Sequence, residues 1–245
     1  MDEINVGESF YDDPDYVSDA DRDSRRLKHW HGVLWSEELP SGERLEWTPE
    51  PGSYLAATSS AGPLRVSSDT IATTHAAYAN SDVPQWWSGL AEAERSRHEK
   101  AFYTIGGFII FPTRPQSLNQ RRGTDRRICD RFDLTLECIR RYYLGQGTSP
   151  LADVIRADAN YFGLFGHGPT GFTSFVNFFH LHDMIDGDSI RWLDGSGESV
   201  WDFDAPPLPT SASGYQTYLD NVLTFVMSRN DRIREWCLAH PGPAG

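Results

Sequence analysis

The chain has 245 residues, 39% of them hydrophobic and 13% aromatic with eight Trp, which is too much apolar material for a disordered chain and enough to bury the core of a domain. Its formal net charge of −13 at pH 7 argues against bulk attraction to nucleic acid or to an anionic membrane, since both carry the protein's own sign. No run reaches the roughly 18 to 20 apolar residues of a membrane helix, and Cys129, Cys138 and Cys237 are an odd set without CxxC spacing, as neither a disulfide framework nor a zinc site would have.

The opening MDEINVGESFYDDPD is acidic and lacks a basic segment followed by an apolar stretch, so the expected location is cytoplasmic. Residues 1–26 hold nine acids and three Arg and read as an acidic, loosely ordered arm ahead of a single globular domain over residues 27–241. The Asp cluster in this arm imitates a calcium loop but lacks its glycine and terminal glutamate. Ser24 to Ser36 suits a short helix with Leu27, Trp30 and Leu34 on one side, and His29 and His31 stand two apart, off the spacing that puts two ligands on one face. Pro40 to Ile71 is punctuated by turn residues and predicts short strands. There Asp69 reads either as a polar site residue or as a turn former.

Ser88 to Tyr103 predicts a helix capped by Ser88. It leads into Phe108–Phe111, an apolar run between Gly106-Gly107 and Pro112 that suits a short strand buried on both faces. Ser117 to Arg127 is polar and reads as a loop with many donors. Phe132, Leu136, Ile139 and Tyr143 then recur at intervals of four, three and four, a stripe along one helix face, with Asp130 or Asp133 suited to its N-terminus and Gly145 to its end. A second helix is expected from Pro150 to Gly166 and a third from Phe172 to Ile185. On that third helix His180 and His182 would point about 200° apart, so a structural role is expected for both. Ser189–Leu193 and Ser199–Phe203 flank DGSGE as a hairpin, and Tyr215 to about His240 is the last helix. The fold class expected is α+β: a mainly helical single domain with a small sheet or short strands and a hairpin.

No nucleophile elbow, phosphate-cradling glycine loop, metalloprotease helix or dinucleotide fingerprint is present, and neither cofactor nor metal is expected. From Arg114 to Arg141 there are eight Arg against four acids, a local excess of positive charge in an acidic chain. The candidate ligand-binding residues are Asn119, Arg121, Arg122, Gly123, Arg131 and Arg140, because guanidinium forks hold phosphate or carboxylate in pairs of hydrogen bonds and glycine permits close backbone approach. Asp130, Asp133 and Glu137 are the candidate acid–base carboxylates. The expected ligand is a small phosphate-bearing molecule, a nucleotide or a nucleic-acid end. The alternative is a non-catalytic structural or protein-interaction module in which the same Arg, Asp and Glu side chains form an internal salt-bridge network.

The chain resembles a family of functionally uncharacterised bacterial proteins of similar length. The residues that carry the likeness are Ile105-Gly106-Gly107 with Phe111-Pro112, Leu118-Asn119 with Arg122-Gly123, and the helix string from Asp130 to Arg141. RRLKHWHGVLWS, VSSDTI, GFTSFVNFFHLHDMI and FVMSRNDRI extend it over most of the chain. Members of that family tend to have Leu and Gln where this chain has His180 and His182, and Ile where it has Leu118. The resemblance implies membership and no activity.

Overall fold

In the computed structural model of the chain, which describes residues 5–52, 54–198 and 200–240, the elements alternate between helix and strand. The short helices α1 (Ala20–Asp23) and α2 (Arg25–Leu34) precede three strands, β1 (Thr48–Pro49), β2 (Tyr54–Ser59) and β3 (Gly62–Thr70). Helices α3 (Val83–Gly89) and α4 (Glu92–Phe102) then deliver the chain to β4 (Phe108–Pro112), and the four strands pair antiparallel in the order β1-β2-β3-β4. Next come α5 (Leu118–Thr124), α6 (Phe132–Leu144), α7 (Ala152–Ala157), α8 (Ala159–Phe162) and α9 (Gly168–Phe178). A two-stranded hairpin of β5 (Ile185–Asp186) and β6 (Ser189–Ile190) and the long α10 (Ala212–Ala239) complete an α+β domain.

Every residue of β4 is buried, as its unbroken apolar run predicts for a strand covered on both faces. On one side it pairs with β3, Asp69 opposite Ile109 and Ser68 opposite Ile110. Its outer carbonyls would be orphaned at the sheet edge, and side chains cover them. The Tyr161 hydroxyl donates to the Ile110 carbonyl (2.7 Å) and Arg229 of α10 donates to that of Phe108 (2.7 Å). Arg229 is wholly buried with no carboxylate beside it among the described residues; its other bonds go to the carbonyls of Gly106 (2.8 Å) and Phe179 (3.0 Å), and burial pulls its pKa down to about 9. The paired glycines ahead of β4 answer to the same packing. A Cβ on Gly106 would lie 2.6 Å from the Val226 carbonyl oxygen, and one on Gly107 would lie 1.8 Å from that of Phe102.

The acidic N-terminal residues lie against this core: Val6, Phe10 and Ala20 are buried. The Phe10 ring meets Phe108 edge-on at 5.4 Å, and its amide donates to the Tyr103 carbonyl (2.8 Å). The opening acids thus accompany an anchored segment, whose placement is fixed by apolar side chains too sparse to form a periodic pattern.

Several expected boundaries move. The polar stretch from Ser117 holds α5 where a loop was expected, because Leu118 packs inward and Arg122 finds partners there. The expected helix from Ser88 is two helices, broken at Leu90, and the Ser88 hydroxyl donates to the Gln85 carbonyl instead of capping α4. The expected second helix is α7, α8 and a 3-10 turn at Gly163–Phe165. The third ends at Phe178, since His180 adopts φ 53°, so neither His180 nor His182 is on it. The hairpin turns at Gly187-Asp188 rather than at DGSGE; Ser199 lies outside the described residues and Val200–Phe203 form no strand. Residues 1–4 and 241 of the expected arm and domain also lie outside them.

Candidate functional site

The predicted site residues do not share one cleft. Arg122, on α5, has no exposed surface, and its guanidinium is surrounded by acceptors. Nη1 donates to Asp69 Oδ2 (2.6 Å) and the Thr70 carbonyl (3.1 Å), Nη2 to the Asp130 carbonyl (3.2 Å) and Nε to Thr135 Oγ1 (3.4 Å), with Asp130 Oδ1 3.3 Å from Nε. Arg131 is equally buried. It forks onto Asp133, Nε to Oδ1 at 3.0 Å and Nη2 to Oδ2, while Nη1 donates to Asp194 Oδ2 (3.0 Å) and the Pro207 carbonyl (2.6 Å). Asp133 also accepts from the Leu193 amide (2.8 Å), so this pair ties the start of α6 to the 193–207 segment. Such pairing is the condition under which a buried charge is tolerated.

Glu137 accepts from Arg140 (2.7 and 3.1 Å) and from Arg141 (2.7 Å). Arg121 is largely in solvent, 3.4 Å from Asp125, and the Gly123 carbonyl accepts from the Tyr78 hydroxyl (3.3 Å). Asn119 donates to Ser67, and its Oδ1 has no partner among the described residues. Arg122 and Arg131, expected from the sequence to bind a ligand, turn both guanidinium groups inward, because the carboxylates two to eight residues along the chain, and Asp69 and Asp194 from farther away, reach them first.

Of the nine predicted residues, Asp130 lines a polar cavity, and Gly123 and Arg140 line two others. The hollow at Asp130, about 410 Å³, lies between the N-terminal segment, the end of β3, the end of α4 and the loop before α6. Asp19, Asp21, Asp69 and Asp130 line it, with Tyr11, Glu99 and Tyr103. The loop presents Asp130 through consecutive left-handed residues, Cys129 (φ 45°) and Asp130 (φ 61°), a conformation costly for a Cys and easier for an Asp. It is held by the Asp130 amide donating to the Arg122 carbonyl (2.8 Å) and by His75 Nε2 donating to the Cys129 carbonyl (2.8 Å).

Behind Asp21 runs a chain of hydrogen bonds with a definite sense. Trp35 Nε1 donates to His31 Nδ1 (2.8 Å), which leaves the proton on Nε2. Nε2 lies 2.8 Å from Ser68 Oγ, and the Ser68 hydroxyl donates to Asp21 Oδ1 (2.6 Å). Burial and then the neighbouring Arg229 charge pull the His31 pKa down to about 3, so the ring is neutral, as this pattern requires. The serine sits between histidine and carboxylate, so the order is not that of a nucleophilic triad. What it does is aim donors at the Asp21 carboxylate.

Asp21, Asp69 and Asp130 are each pushed above the ordinary carboxylate range, burial being the first cause in each. For Asp21 the charge of Asp69 adds to it, and for Asp130 the Arg122 charge opposes it. Raised carboxylates meeting at a cavity are a recognised mark of a functional site. Among the described residues, no group of three or more His, Cys, Asp or Glu is arranged to hold a metal ion.

Of the residues at or behind this cavity, the sequence offered Asp130 as a candidate and left Asp69 between a site residue and a turn former, and it offered neither Asp21, His31 nor Ser68. Ser68 is buried near the end of β3, and Asp69 beside it is half-buried. Nothing local marked Asp21, one acid among nine. Four of the strings behind the family resemblance meet at this cavity, through His31, Ser68-Asp69, Arg122 and Asp130.

No helix among the described residues is long and apolar enough to cross a membrane. Neither a curated protein nor a solved structure matches the chain. A model of the family of unknown function DUF6994 matches residues 4–233, and the chain belongs to that family.

Proposed function

We propose that the protein binds a small organic cation rich in N–H donors, an amine in chemical class, in the cavity of Asp21, Asp69 and Asp130. The charge balance carries this reading. Arg122 is already held by Asp69 and Asp130, while Asp21 has no ion-pair partner among the described residues. A bound ammonium would supply the missing positive charge, donate to Asp21 and Glu99, and lie against the rings of Tyr11 and Tyr103. The phosphate-bearing ligand expected of the arginine segment has the wrong sign for this cavity, and the donors of Arg122 and Arg131 are engaged elsewhere.

Titration calorimetry with 1,4-diaminobutane near pH 6.5 tests the reading. Saturable binding with proton release is expected, because the incoming charge lowers the raised carboxylates. Asp21→Asn keeps an acceptor for Ser68 and removes the charge, and it should abolish binding while leaving the thermal midpoint near that of the parent. Absence of binding, or equal affinity in the variant, would reject the amine site.

A further inference from the structure

A second cavity, about 670 Å³, lies on the other side of α6, between the C-terminal half of that helix, α9 and the β5–β6 hairpin. Its lining is mixed: Leu144, Phe172, Val176 and Ile185 are apolar, and Arg140, Asn177 and His182 are polar. Arg140 is the predicted binding arginine that meets a cavity, and it is more than nine-tenths buried. Nε and Nη2 reach Glu137 (2.7 and 3.1 Å) and Nη1 reaches the Asp188 carbonyl (3.2 Å), so two of its five N–H groups have no partner among the described residues.

The surrounding charge favours a single negative group. Glu137 is shared between Arg140 and Arg141, leaving one positive charge in excess within this trio. Asp188, also at the cavity, offers Arg140 its backbone carbonyl and keeps its side chain in solvent. A dianion such as a phosphate monoester would face both acids, whereas a carboxylate spreads one charge over two oxygens that match two N–H groups.

We propose that this cavity binds a monocarboxylate carrying a medium-length apolar body, its head on Arg140 and Asn177 and its tail along Phe172, Val176 and Ile185. The site is separate from the acidic cavity and stands or falls independently of it. Octanoate is the probe, with octanol and acetate lacking the head and the tail respectively. Octanoate should bind saturably, one per chain, and at least about tenfold more tightly than either control.

Asn177 and Thr173 are exposed on α9, so substitutions there leave the Arg140–Glu137 pair intact. Asn177→Asp, which sets a negative charge beside the head, should weaken octanoate about tenfold, and Thr173→Trp should block the cavity and abolish binding, both with unchanged thermal midpoints. Arg140→Met should abolish octanoate binding without affecting 1,4-diaminobutane. Three results would each overturn the proposal: no saturable octanoate binding, octanol binding as tightly as octanoate, or Asn177→Asp binding octanoate like the parent.

Discussion

Asp130 is placed where its charge is a liability to the fold, and replacing it should make the protein more stable. Burial and the charge of Asp69 raise its pKa from 3.8 to about 6, although the Arg122 charge pulls the other way. A carboxyl whose folded pKa is raised contributes stability that is complete below its unfolded pKa and is lost as pH rises through the folded value. The window is therefore pH 4 to 6, and above it the ionised group costs roughly 3 kcal/mol for a rise of about two units. The Asp130 side chain is 29% exposed, so solvent screening reduces this to about 1–2 kcal/mol.

Asn imitates the protonated acid in shape and is at home in the left-handed conformation that Asp130 adopts. Asp130→Asn should thus be about 1–2 kcal/mol more stable than the parent at pH 7.5 and nearly equal to it at pH 4.5. Urea unfolding followed by tryptophan fluorescence at the two pH values measures both differences, and other titrating groups cancel between variant and parent. A variant less stable at pH 7.5, or a difference independent of pH, would refute the reasoning.

The buried pair of Arg131 and Asp133 behaves oppositely. Arg131→Met strands Asp133 without its cation and should cost about 3–5 kcal/mol in urea unfolding, whereas a loss below about 1 kcal/mol would mean that the pair is not shielded from solvent. Gly107→Ala puts a methyl group 1.8 Å from the Phe102 carbonyl oxygen, so β4 must shift; a thermal midpoint within about 2 °C of the parent would contradict that placement. His31, His75 and His180 have pKa values depressed to about 3, chiefly by burial. They exclude protons that the unfolded chain accepts below about pH 6.5, so they make stability fall as pH drops from there toward 3. His180→Asn should flatten that fall by up to about 1.4 kcal/mol per pH unit, and an unchanged slope would count against a neutral buried His180.

The parts of the fold visible in the sequence are those whose cause is local. The stripe of Phe132, Leu136, Ile139 and Tyr143 predicted α6, and the unbroken run Phe108–Phe111 predicted β4, because helical and strand periods are written within a few residues. The IGG segment was visible as a motif but not explained. Its reason is a carbonyl of α10 and one at the end of α4, each far from it in sequence or reached only after the chain turns.

The surroundings of the arginines were hidden for the same reason. Counting arginines showed donors, yet whether a guanidinium has N–H groups to spare depends on acids such as Asp69 and Asp194 that arrive from distant segments. Residues 1–26 read as a loosely ordered arm because their composition is acidic. Phe10 and Asp21 reach the core and the cavity through contacts with residues far along the chain, which leave no local pattern.

The most direct test is a carbon-13 titration of the carboxyl groups of Asp21, Asp69 and Asp130, assigned by Asn substitution, with and without 1,4-diaminobutane. All three should titrate above the ordinary aspartate range in the free protein and move down when the diamine is added. Ordinary titration of all three, or midpoints indifferent to the diamine, would contradict a cation site at this cavity.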